Sequence, residues 1–210
     1  MIIIITVLPY AFYQYHREAE HVKEIRADVI AYLDEKYDQA MVLDDEWGYY
    51  DSMYSFFFRP IETPEIYSAV RYFSSEHIID DYLNKYAGWE AANIIKKIVD
   101  KYCFDSQCIA FNYGGLENDE RLEEYYLAKR KPLSWNDLEH LDALQYAGIE
   151  VYKDNGDVTT ELFTKILDEL KTLDFTIETV KFKICNNSEE RKVIEDTIVY
   201  EFNDGEYLRR

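Results

Sequence analysis

The sequence predicts an α+β protein: antiparallel sheet with helices packed against it. Two observations carry that expectation. Short aromatic and β-branched runs cluster at Met41–Phe73 and again at Phe175–Phe202, bounded by turn residues. The segments around them repeat their apolar residues at helical spacing.

The first residues, Met1 to Tyr15, carry no charge. As a helix they would span about 22 Å at 1.5 Å per residue, short of the roughly 30 Å hydrocarbon core of a bilayer. The favoured expectation is the outer end of a membrane anchor whose opening residues precede this chain. A buried strand or core helix is the second reading, since consecutive isoleucines favour strands. An interfacial or uncleaved signal segment is the third. The rings of Tyr10, Phe12, Tyr13 and Tyr15 beside His16 and Arg17 suit a membrane edge. Orientation stays open, because no Lys or Arg stands ahead of the apolar run.

Glu18 to Tyr37 reads as a charged helix. Val22, Ile25, Val29 and Leu33 form one stripe, opposite Glu20, Lys23, Glu24, Asp28 and Glu35. Met41–Trp47, Met53–Phe58 and Ile66–Phe73 read as three strands, with Gly48 and Arg59-Pro60 as stops. Ser74 and Ser75 are expected to cap a helix beginning near Ile78. It is interrupted at Gly88 and resumes from Ala91 to Tyr102, either as two helices or as one kinked helix. Gln107–Tyr113 reads as a returning strand.

Beyond Gly114-Gly115 the chain turns polar. Ser134 then opens a helix carrying Leu138, Leu141 and Leu144, stopped by Gly148. Ile149–Tyr152 is a short strand turned by Asp154-Asn155-Gly156. Thr159 or Thr160 caps an amphipathic helix through Leu162, Phe163, Ile166, Leu167 and Leu170. Phe175–Cys185 and Val193–Phe202 form a hairpin. The expected domains are therefore 1–15 (anchor remnant), 16–115 (α+β subdomain), 116–133 (polar linker) and 134–210 (second α+β subdomain). The shared order of helix then strands suggests two similar subdomains, although the halves do not align residue by residue.

The formal net charge is −19, which repels phosphates and argues against binding nucleic acid. It serves first as a solvated acidic surface, and it would attract basic proteins or cations. Tyrosine is abundant, with 20 residues; core and rim packing is the first reading, and a contact surface of large area with polar tips is the second. Cysteines number three, too few and too odd for a disulfide framework, so buried thiols are expected.

No phosphate-binding glycine loop, His-Glu-x-x-His, Gly-x-Ser-x-Gly or Cys-x-x-Cys is present. His77 with Asp80 and Asp81 shares helical spacing, but two ligands rarely hold a divalent ion, and acids at a helix start also suit its dipole. Asp154-Asn-Gly-Asp157 fails as a calcium loop because Val151 stands where the first acidic ligand belongs. Asn186-Asn-Ser188 matches a glycosylation acceptor that matters only in a eukaryotic secretory setting. No catalytic residue, cofactor or metal is assigned. The candidate partner-binding surface is Asp44, Asp45, Glu46, Trp47, Tyr49 and Tyr50, which combine charge with aromatic area.

At Leu8-Pro-Tyr-Ala-Phe-Tyr-Gln-Tyr-His16, the charged helix and Asp80-Asp-Tyr-Leu83, the chain resembles a loose group. These are uncharacterised single-pass membrane-anchored proteins of low-GC Gram-positive bacteria. The resemblance covers about the first half. It implies a cell-membrane location with an outward-facing α+β domain, and no activity. The basic start of that pattern is absent here. The expected function is a membrane-tethered acidic binding or accessory domain without catalysis. The alternatives are a soluble cytoplasmic acidic protein of immunity or antitoxin type and, less favoured, a carboxylate-using hydrolase.

Overall fold

The structure is a computed structural model. It describes residues 2–103, 107–111, 120–129, 144–152, 159–173, 176–188 and 191–210. The fold is α+β with packed helices, and the chain separates into two compact units, Met1–Asp80 and Asp81–Arg210.

The first unit begins with α1 (Ile2–Lys36). The leading apolar residues are thus helical, and the strand alternative for them is corrected. Among the described residues no helix is long and apolar enough to cross a membrane. Four strands follow: β1 (Met41–Tyr50), β2 (Met53–Pro60), β3 (Ser68–Ser74) and β4 (His77–Asp80). They form an antiparallel sheet in chain order, so β1 and β4 are its edges. Alternation assigns the faces. Phe56 and Phe58 are wholly buried, and Val70 sits opposite Phe56 on the same side. The α1 stripe of Val22, Ile25, Val29 and Leu33 is buried too, as its spacing predicts. Arg26 lies over the Phe56 ring and Tyr72 donates to Asp28, which places α1 on that face.

Two local expectations are corrected here. Gly48 does not stop β1; the strand runs on to Tyr50 and turns at Asp51-Ser52. Ser74 and Ser75 cap no helix; Ser74 ends β3, and His77–Asp80 pairs with β3 as a strand. Ile78 and Ile79 continue the helical spacing of the next segment, and four residues are too few to display a strand period of their own.

The second unit opens with α2 (Tyr82–Val99), one continuous helix through Gly88. A helical glycine costs about 1 kcal/mol relative to alanine. Burial of Ala91, Ile95, Ile98 and Val99 on the same helix outweighs it. Then come β5 (Gln107–Phe111), α3 (Glu120–Lys129), β6 (Leu144–Tyr152), α4 (Thr160–Leu170), β7 (Ile177–Ser188), β8 (Arg191–Asn203) and β9 (Glu206–Arg209). The five strands lie in chain order. The β6–β7 pair is parallel, and α4 makes its crossover; the other pairs are antiparallel. This sheet is therefore mixed, unlike the first, and the two units do not share a topology.

The core of the second unit gathers α2, α4 and one sheet face. Ile149, Phe182 and Ile198 stand in line across three strands, as do Ala147, Val180 and Tyr200. Phe163 of α4 stacks on Phe182 at 4.3 Å between centroids. Thr159 is the N-cap of α4, accepting from the Leu162 N–H at 3.3 Å. Leu144 and Gly148 belong to β6, which corrects their assignment to a helix and its stop. Residues 134–143, 153–158 and 112–119 lie outside the described residues, and with them the Ser134 cap and the Asp154 turn. The expected linker 116–133 contains α3, whereas the compact units divide between Asp80 and Asp81.

Candidate partner-binding edge strand

The candidate surface residues all stand on β1, the long edge of the first sheet. Asp51 and Ser52 both have positive φ, 48° and 64°, and Tyr50 pairs with Met53. This is a two-residue hairpin with a type I′ turn. Its geometry dictates the backbone. Tyr50 and Met53 flank the loop as a hydrogen-bonded pair, so Tyr49–Tyr54 and Trp47–Phe56 are non-hydrogen-bonded pairs. The N–H and C=O groups of Trp47 and Tyr49 therefore point out of the sheet, toward the open edge.

Side chains follow the same register. Trp47 and Tyr49 share the α1-facing side with Tyr54 and lie 5.8 and 4.7 Å from its ring. His21 of α1 meets Tyr54 edge-on at 5.8 Å. Trp47, Tyr49 and Tyr50 remain 40%, 59% and 77% exposed. A Cβ placed on Gly48 would meet nothing within 4 Å, so the opposite side of the strand is open as well.

Asp44, Asp45 and Glu46 form a bulge: Leu43 pairs with Phe58 and Trp47 with Phe56, which leaves three residues opposite Phe57. Arg26 fastens it, donating to the Asp44 carbonyl at 2.7 Å and lying 3.5 Å from the Asp45 carboxylate. The Asp44 carboxylate accepts from the Tyr67 hydroxyl at 2.8 Å and pairs with Arg59 at 3.7 Å. That hydrogen bond, followed by partial burial, raises the Tyr67 phenol above its ordinary value. Asp45 and Glu46 stay exposed. The structure thus brings all six candidates onto one strand, with Asp44 committed to internal partners. Sequence reasoning did not include Arg26, Tyr54, Tyr67 or His21; only the fold brings them to β1.

Two further clusters lie in this unit. Asp80 is buried and accepts from Tyr37 at 2.6 Å, Tyr32 at 2.7 Å and Lys36 at 2.9 Å. Burial alone would raise its carboxyl; the Lys36 charge and the Tyr37, Tyr32 and Lys36 hydrogen bonds outweigh that and hold it below the ordinary carboxylate range. The helical spacing of His77 and Asp80 is corrected, because both stand on β4. On a strand, the two residues fall on opposite faces, and His77 stacks on Phe73 at 4.7 Å. A shallow cavity of about 280 Å³ is lined by Asp28, Tyr32, Glu35, Ser75 and Glu76, among others. Among the described residues no group of three or more His, Cys, Asp or Glu side chains is arranged to hold a metal ion. Glu161 and Glu169, like Asp80, are held below their ordinary values, Glu161 by its hydrogen bond with Lys165 and Glu169 by those with Lys101 and Tyr102. Cys103 and Cys185 are both buried.

No family model matches the chain, and no curated protein matches it. The fold is similar to the crystal structure of a DUF5037 family protein from Ruminococcus gnavus. The match has a TM-score of 0.52 and 11% identity, over 87% of this chain and 94% of that one. At that identity the likeness concerns the fold alone. No family or sequence match supports the likeness to membrane-anchored Gram-positive proteins.

Proposed function

We propose that this protein is a non-catalytic acidic binding module that captures a basic protein partner on the β1 edge. One observation carries the reading: Trp47, Tyr49 and Tyr50 stand exposed on an edge strand directly after Asp45 and Glu46. Aromatic side chains that large supply interface anchors, and the acids beside them, within a chain of net charge −19, select a cationic partner and speed its approach. The test is capture of basic proteins by the intact chain at low and high salt. Binding should weaken as salt rises, and Trp47→Ala with Tyr49→Ala should abolish it. Capture indifferent to both changes would refute the reading.

The same proposal makes the N-terminal part of α1 a membrane tether for an outward-facing domain. Its support is the run of uncharged residues continuous with the docked part of the helix. Cell fractionation tests it: recovery wholly in the cytosol would remove the tether. The binding module would then read as a soluble acidic neutraliser of a basic protein, which the net charge favours.

A further inference from the structure

We propose that the partner binds as an extended cationic segment, adding a fifth strand to the first sheet, antiparallel to β1 opposite Trp47–Tyr49. This rests on the binding reading above and specifies its mode.

The edges of the two sheets differ in what they offer. β4 and β9 have four residues each and β5 has five, whereas β1 has ten. Long edges invite pairing unless a bulge, a charge or a cover blunts them. The first half of β1 is blunted. The bulge at Asp44–Glu46 breaks the ladder, and Arg26 occupies the Asp44 carbonyl. The second half has no such device among the described residues. The hairpin register aims the N–H and C=O groups of both Trp47 and Tyr49 outward, two residues apart, which is the repeat an incoming strand requires.

Side chains decide the occupant. In antiparallel pairing the partner residues opposite Trp47 and Tyr49 would project to the same side as those rings. Cations there would lie over exposed indole and phenol faces, a favourable arrangement, close to the exposed Asp45 and Glu46 carboxylates. A second copy of this chain would instead bring two acidic bulges, and two chains of charge −19, against each other. A basic segment alternating arginine or lysine with small β-formers fits both the backbone and the charge.

The probe is a ten-residue peptide of alternating arginine and threonine, titrated against the intact chain. Two further versions carry N-methyl groups on the arginine nitrogens or on the threonine nitrogens. Strand addition uses the arginine N–H groups, because those residues face Trp47 and Tyr49. Methylating them should weaken binding about tenfold, because the N–H donors opposite both Trp47 and Tyr49 are removed together. Methylating the threonines should change little. Equal effects of the two methylations would overturn strand addition and leave the binding reading standing. No binding of the unmethylated peptide at low salt would overturn both. A concentration-dependent dimer that the peptide dissociates would make β1 a self-association edge and overturn the basic occupant.

Discussion

Replacing Asp80 should expose how the first unit fastens α1 to its sheet. The carboxylate side chain is fully buried, and Lys36 is nearly so. Three donors reach it between 2.6 and 2.9 Å. Asp80→Asn keeps the shape and removes the negative charge that faces the buried Lys36 ammonium at 2.9 Å. Breaking one side of such a pair costs about 3–5 kcal/mol. Lys36→Met should cost less, about 2–3 kcal/mol, because the Tyr32 and Tyr37 hydroxyls still serve the carboxylate. The double variant should fall short of the sum, with a coupling of about 1–3 kcal/mol. Urea unfolding of the four proteins measures this through shifts in midpoint at constant slope. The sign of the pH dependence follows from the depressed Asp80 carboxyl. Its stabilisation is present above the unfolded value, about pH 3.9, and is lost as pH falls through the lower folded value. The Asp80→Asn protein should lack that acid-dependent loss. Single-variant costs below about 1 kcal/mol, or an unchanged acid profile, would refute the argument that this pair is a buried, compensated charge.

Other outcomes are equally direct. Ser52 occupies the second position of the I′ turn at φ 64°, where glycine carries no Cβ penalty, so Ser52→Gly should stabilise by about 0.5–1 kcal/mol in urea unfolding. Gly205 has φ 86° and open space around its missing Cβ, so Gly205→Ala should cost about 1–2 kcal/mol through the backbone alone. Phe182→Ala removes a wholly buried ring stacked on Phe163 and should cost about 3–5 kcal/mol. Thr159→Ala deletes the cap of α4, and thermal unfolding should register a loss of about 1 kcal/mol. Tyr49→Ala, at an exposed edge, should leave stability within about 0.5 kcal/mol while weakening partner capture.

Much of the local structure was legible because it depends on period alone. The stripe Val22, Ile25, Val29 and Leu33 announces a helix and its buried face; all four are buried. Val180, Phe182 and Ile184 announce a strand with an inner face, and those residues are buried too. Thr159 marks a helix start by its own hydroxyl. Asp204-Gly205 is a strong hairpin signal in the sequence, and it turns the chain into β9. The acidic and aromatic character of 44–50 was also plain, because composition needs no fold to be read.

What the tertiary structure decided is whatever depends on a partner distant along the chain. His77–Asp80 becomes a strand because β3 offers it a ladder, against a helical pattern in its own residues. β6 and β7 lie parallel because α4 returns the chain over the sheet, which alternation within a strand cannot indicate. Asp80 gains Lys36, Tyr32 and Tyr37 from more than forty positions away. The outward aim of the Trp47 and Tyr49 backbone comes from the pairing register with β2. Side-chain period is a property of neighbours in sequence, so the chain alone carries it. Register, strand direction and charge pairing are set by which surfaces meet, and that exists only once the chain has folded.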